Sequence, residues 1–267
     1  MELDFTLIDG EGIPIFFFPT FPLDRTYLEA SLKDMDFKHP LVLFDYRSHG
    51  RSPNVENDKQ LKFKLMADDV EELRKKLGFE KIIIFGHGLG GLIALTYVVR
   101  HMKHVDRLVL FSTSASSRFR GELAWNIRER FSPQTKNELD TYFARMDPNS
   151  LQVKFNRAYT VYFDPPNLGE AQRLLDQCHK VAYHEYYVLY PEIERFDVRP
   201  KLRKFPNPVL IVSAEKDVWP LSYVRDLQNH VKKHQLLHLE GLGHFAMIEN
   251  PESFWIPIIA WINSTDN

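Results

Sequence analysis

Short apolar runs rich in β-branched and aromatic residues recur along the chain: Ile13–Phe18, Pro40–Asp45, Lys81–Phe85, Arg107–Phe111, Pro208–Ser213 and Gln235–Leu239. Most are continuous rather than alternating. That pattern predicts strands buried on both faces, as in a mainly parallel sheet. The intervening segments carry helical spacing. Leu65, Met66, Val70, Leu73 and Leu77 share one face, while Asp68, Asp69, Glu72 and Lys75 fall elsewhere. Gly91–His101 reads as a second helix, and Ser253–Ile262 as a third that Pro257 should kink. Strands alternating with helices through short connections predict a doubly wound α/β sheet.

The alternation stops between Ser114 and Arg199. Helix-like pieces fill this stretch: Arg118–Phe131, Pro133–Arg145, Asn149–Tyr162 and Leu168–Tyr187. We expect a helical cap inserted at 114–199 into a core made of 1–113 and 200–267. The alternative is that the stretch simply extends the core.

Composition narrows the function classes. The 267 residues are 44% hydrophobic and 26% charged, which excludes a chain disordered along its length. The formal net charge of −2 gives no reason to expect a nucleic-acid face. Cys178 is the single cysteine, so an intrachain disulfide and a Cys-rich zinc module are both excluded. Met1-Glu2-Leu3-Asp4 lacks the basic and long apolar regions of a signal peptide, and Pro14 and Pro19 interrupt the apolar stretch around Ile13–Phe18. A cytoplasmic location without membrane contact is expected. No metal-ligand spacing and no cofactor requirement stands out.

Candidate chemistry concentrates in Lys81–Arg100, KIIIF-GHGLGG-LIALTYVVR, where a buried strand enters a glycine-rich turn that opens a helix. This is not a phosphate-binding Walker loop, because no Lys-Ser/Thr follows. Gly86, Gly88 and Gly91 do fit the glycine positions of a dinucleotide loop, but no acidic residue ends the next strand. The stretch resembles the α/β-hydrolase superfamily, whose nucleophile elbow reads G-x-S-x-G. Gly86, His87, Leu89 and Gly90 match, and Gly88 stands where the family carries serine. The flanking glycines keep a tight turn free of side-chain clashes. Gly88 preserves the turn and lacks the attacking oxygen.

Two further segments carry the same resemblance. Ala214-Glu215-Lys216-Asp217-Val218-Trp219-Pro220 is similar to the family's acid loop and makes Asp217 the candidate acid. Leu239–Phe245 is similar to its histidine loop and makes His244 the candidate base, in the chain order that the fold uses. Asp45–Ser52, with His49, resembles a loop-shaping turn of the family. The oxyanion loop departs from the pattern. Aligned on Pro22, Pro19-Thr20-Phe21-Pro22 takes the place of the H-G-G-P run of the proline-iminopeptidase-like and esterase-like branch. In that register Phe21 and Leu89 are the candidate oxyanion donors.

The resemblance implies a serine-hydrolase-type enzyme acting on a small ester, lactone or amide carbonyl, here an inactivated variant because of Gly88. Restoring serine at that position is then expected to restore esterase activity, and a water in the vacated space is a candidate weak nucleophile. Two other readings stay open. One is a non-hydrolytic relative that uses His244 and Asp217 as a base, lyase-like or cofactor-free-oxygenase-like. The other is a ligand-binding pseudoenzyme. Trp125, Tyr159, Tyr162 and Tyr187, with other aromatic side chains such as Phe143, are candidate pocket residues. Cys178 reads as a structural thiol. The expected partner is a small carbonyl compound, bound by a monomer or homodimer.

Overall fold

The structure is a computed structural model that describes residues 1–133, 135, 136, 148–163 and 165–264. Seven strands form one sheet: β1 (Phe5–Ile8), β2 (Ile15–Phe18), β3 (Leu41–Phe44), β4 (Ile82–His87), β5 (Val105–Phe111), β6 (Val209–Ala214) and β7 (His234–Leu239). Their order is β1-β3-β2-β4-β5-β6-β7. Only the β1–β3 pairing is antiparallel, and the other pairings are parallel. The doubly wound, mainly parallel sheet expected from the apolar runs is therefore the observed architecture.

β2 shows why continuous apolar runs form these strands. Successive side chains point to opposite faces. Phe16 and Phe18 enter a core layer with Val70, Leu73, Leu95 and Val98, from helices α2 (Phe63–Lys76) and α3 (Gly90–His101). Ile15 and Phe17 enter the opposite layer with Tyr27 and Leu28 of α1 (Thr26–Leu32) and with Trp255 and Ile258 near the C-terminus. Both faces are covered, so no polar position is tolerated along the strand. The edge strands follow a different rule. β1 has no long apolar run because one end of it is exposed, and sequence patterning passes over it. β7 is mostly exposed despite its leucines.

Between β5 and β6 the chain forms α4 (Phe119–Glu129), α5 (Pro148–Ala158), α6 (Leu168–Gln177), α7 (Tyr183–Glu194) and the short α8 (Arg199–Leu202). No strand falls here among the described residues. The expected helix at Pro133–Arg145 lies largely outside the described residues, as does Phe143. After β6 come α9 (Ser222–Gln228), α10 (Ala246–Glu249) and α11 (Pro251–Asn263). Asn250 caps α11, its side chain accepting from Ser253 N–H, and the helix continues through Pro257. No helix among the described residues is long and apolar enough to cross a membrane.

Candidate active site

The parallel strands deliver three loops to one end of the sheet. The turn after β4 carries Gly88, the loop after β6 carries Asp217 and the loop after β7 carries His244. Gly88 has φ +54°, a left-handed backbone that glycine adopts without strain.

Asp217 and His244 form a buried pair. His244 Nδ1 lies 3.0 Å from Asp217 Oδ1, and both side chains are almost fully enclosed. An ionised carboxylate only accepts, so Nδ1 carries the hydrogen and Nε2 is left as an acceptor. Asp217 Oδ1 also accepts from Trp219 N–H at 3.0 Å, and Ser112 Oγ donates to Oδ2. Ser112 follows β5 with φ +50°, which aims its hydroxyl at the acid. Arg130 follows α4 and clamps the acid loop from outside. It donates to the carbonyls of Lys216 and Asp217 at 2.5 and 3.2 Å, and to Val161 O at 2.9 Å.

A second chain of hydrogen bonds sets the floor. Thr20 N–H donates to Tyr27 Oη at 2.8 Å, Tyr27 Oη lies 2.9 Å from His87 Nδ1, and His87 Nε2 lies 3.1 Å from His244 O. A carbonyl can only accept, so His87 donates through Nε2 and accepts the Tyr27 hydroxyl at Nδ1. That is the neutral imidazole. Burial, and then the neighbouring His244, push the His87 pKa well below the usual histidine range. Burial also lowers His49. The unfolded chain takes up these protons below about pH 6.5, whereas the folded chain refuses them. Their stabilising contribution is therefore present above that pH and is lost as the pH falls. We expect the urea midpoint to drop between pH 7.5 and pH 5, and His87→Asn to flatten that drop. An unchanged pH difference in the variant would refute the assignment.

Thr20 decides what the elbow can hold. A Cβ built on Gly88 would collide with Thr20 Oγ1 and lie 3.0 Å from Thr20 Cβ, with His244 Nε2 3.5 Å away. Thr20 Oγ1 in turn accepts from Leu89 N–H at 3.2 Å. The place where a side chain at 88 would begin is thus bordered by Thr20, and one candidate oxyanion donor is engaged. A serine side chain at 88 would require Thr20 to move.

A cavity of about 300 Å³ opens above this floor. Thr20, Phe21, Leu89, Trp219 and His244 line its base, and α4 and α7 line its walls together with Tyr159 and Tyr162. The Tyr162 ring stands edge-on to His244 at 4.7 Å, and Trp219 lies parallel to it at 6.3 Å. Tyr159, Tyr162, Phe21 and Leu89 are therefore at the cavity. Trp125 and Tyr187 are not: they are 62% and 40% exposed. α4 turns Phe119, Leu123 and Ile127 inward at a spacing of four, so Trp125, two positions from Leu123, points away. α7 turns Tyr186, Tyr190 and Ile193 inward and leaves Tyr187 outside. Arg120 also lines the cavity, but its guanidinium is hydrogen-bonded to Tyr190 Oη, stacks on that ring at 4.8 Å and pairs with Glu194 at 3.2 Å. Burial pushes the Cys178 thiol up to about 12, and its Sγ donates to Leu174 O, a packing role.

Comparison with known proteins agrees with the fold. The sequence profile described as alpha/beta hydrolase fold matches residues 13–251. The chain is 30% identical to a proline iminopeptidase of Xylella fastidiosa, over 78% of this chain and 76% of that protein. It is 27% identical to a putative carbamate hydrolase, RutD, of Agrobacterium fabrum, over 85% of this chain and 84% of that protein. Among solved structures, a thermophilic esterase from Thermogutta terrifontis superposes with a TM-score of 0.77 at 19% identity, covering 97% of this chain and 92% of that chain.

Proposed function

This chain belongs to the alpha/beta hydrolase family, and from that premise we propose that it binds a small, largely apolar carbonyl compound and acts on it through His244 as a general base, without an acyl-enzyme. The observation that carries this reading is the occupancy of the nucleophile space by Thr20 while the His244–Asp217 pair is kept. Acyl transfer needs an attacking oxygen on the elbow, and Gly88 supplies none. His244 Nε2 faces the cavity rather than a serine, so the proton within its reach belongs to the bound compound. Asp217 holds the imidazole in the accepting tautomer and stabilises its cation once the proton has transferred. The cap of this reading is the described part of 114–199: α4, α7 and the Tyr159–Tyr162 turn border the cavity above the base.

The cavity's volume and aromatic walls suit a compound of roughly drug-fragment size. The iminopeptidase, carbamate hydrolase and esterase named above are, as their names say, hydrolases of amide, carbamate or ester bonds, which supports a carbonyl ligand. The test is deuterium uptake into 4-phenylbutan-2-one in D₂O, followed by proton NMR. The protein should accelerate exchange beside the carbonyl, and His244→Ala should remove about 10²-fold or more of that acceleration. No acceleration, or a stoichiometric acyl adduct by intact mass after p-nitrophenyl acetate, would overturn the reading.

A further inference from the structure

We infer that the Thr20 hydroxyl is the ligand-recognition group of this site, and that with His244 it selects neutral compounds bearing a carbonyl oxygen beside a transferable or donatable hydrogen. The inference rests on the reading of the cavity as a carbonyl site and adds the class of compound it takes.

The geometry begins with Leu89. Its N–H starts the helix after the elbow and points to the cavity floor, where a developing oxyanion would need it. Here that N–H is already given to Thr20 Oγ1. A hydroxyl that accepts on its oxygen keeps its own hydrogen to donate. Among the described residues no acceptor takes that hydrogen, and Thr20 lines the cavity. The threonine therefore relays the Leu89 N–H outward as an O–H donor set above the backbone. Its position is fixed on both sides. The backbone N–H is tied through Tyr27 and His87 to the carbonyl of His244, and Oγ1 is tied to the elbow.

His244 Nε2 supplies the complement, an acceptor. Thr20 Oγ1 and His244 Nε2 flank one point, the place where a side chain at Gly88 would begin. The floor thus presents one donor beside one acceptor. Its match is an acceptor beside a donor: a carbonyl oxygen with an adjacent X–H. An ester lacks the hydrogen, unless it comes from the α-carbon. A carboxylate lacks it as well and would need a free cation. Arg120 at the wall is held by Glu194 and Tyr190, so a neutral ligand is favoured. With an enolisable ketone the same pair runs the proposed step. The C–H bond beside the carbonyl breaks as Nε2–H forms, and the electron pair moves to the carbonyl oxygen. The Thr20 O–H holds that enolate oxygen by a hydrogen bond, and Nε2 returns the proton.

Titration calorimetry with two inert probes separates recognition from chemistry. 3-Phenylpropanamide has the acceptor–donor pair, and its N,N-dimethyl derivative has the acceptor alone. The full chain should bind the primary amide about tenfold more tightly, the range expected for one buried hydrogen bond. Thr20→Val keeps the shape and removes the oxygen, and it should weaken both amides about tenfold, since the carbonyl contact they share is gone, with the thermal midpoint little changed. Thr20→Ser should restore that affinity. His244→Ala should instead erase the preference, since the acceptor for the amide N–H is gone. Equal binding of the primary amide by Thr20→Val and the unaltered chain, or no preference between the probes in the unaltered chain, overturns the inference. Failure of the base reading looks different: deuterium exchange would be absent while Thr20→Val still weakened binding of both amides.

Discussion

Gly88→Ser by itself is expected to leave ester hydrolysis within about tenfold of the unaltered chain, whereas Gly88→Ser with Thr20→Gly is expected to raise it by about 10³-fold or more. The difference is steric. The new Cβ at 88 meets Thr20 Oγ1 and Cβ, and the φ of +54° adds backbone strain. The single variant should therefore lose about 3 kcal/mol, combining overpacking with a left-handed non-glycine residue. Removing the Thr20 side chain opens the space and releases Leu89 N–H for an oxyanion. The serine oxygen then falls within reach of His244 Nε2, which lies 3.5 Å from the Cβ position. Hydrolysis of p-nitrophenyl acetate and thermal melts of the three proteins decide it. A single variant as active as the double would mean that Thr20 yields easily, and an inert but folded double would mean that the base is misplaced.

Most of the scaffold was readable from residue order, for a physical reason. Strands buried on both faces must be continuously apolar, so the five from β2 to β6 declared themselves, and β7 was marked by its leucines although it is mostly exposed. β1 did not, because a half-exposed edge strand needs no such run. The glycine elbow, Asp217 and His244 were legible because tight turns and a buried acid–imidazole pair admit few residue types. The cavity walls were not. Trp125 and Tyr187 have the composition of pocket residues and the helical phase of surface ones. Phase can be read only once one inward residue of each helix is known. Ser112 and Arg130 carry no motif. Their roles come from a single φ and from where α4 ends.

Thr20 is the instructive case. Gly88 and the altered oxyanion loop were each visible as departures from the family pattern, 68 positions apart along the chain. In the structure the two positions meet: a Cβ at 88 would fall on the Thr20 side chain. A loop residue fills that place and engages the adjacent N–H. Beside it both oxygens of Asp217 accept, from His244, Trp219 N–H and Ser112, as a buried carboxylate requires.

The same contact between elbow and loop sets the second large effect. Gly90→Ala is expected to cost about 3 kcal/mol, the upper range for inserting one methyl into a packed interior. A Cβ at Gly90 would strike the carbonyl of Pro19, lie 2.6 Å from Pro19 C and lie 2.7 Å from Phe18 O. All three are backbone atoms at the end of β2, and none can rotate aside. The relief available is movement of the loop itself, which carries Thr20 away from Leu89 N–H. The variant should therefore lose stability and affinity for the primary amide together. Gly121→Ala is the control. Gly121 lies in α4 with no atom within 4 Å of its would-be Cβ, so alanine there should gain about 0.5 kcal/mol and leave amide binding unchanged. Urea unfolding and calorimetry on both variants measure the two effects side by side. If Gly90→Ala is destabilised yet keeps its affinity for the primary amide, the loop has adjusted without moving Thr20, and the coupling between elbow packing and ligand recognition does not hold.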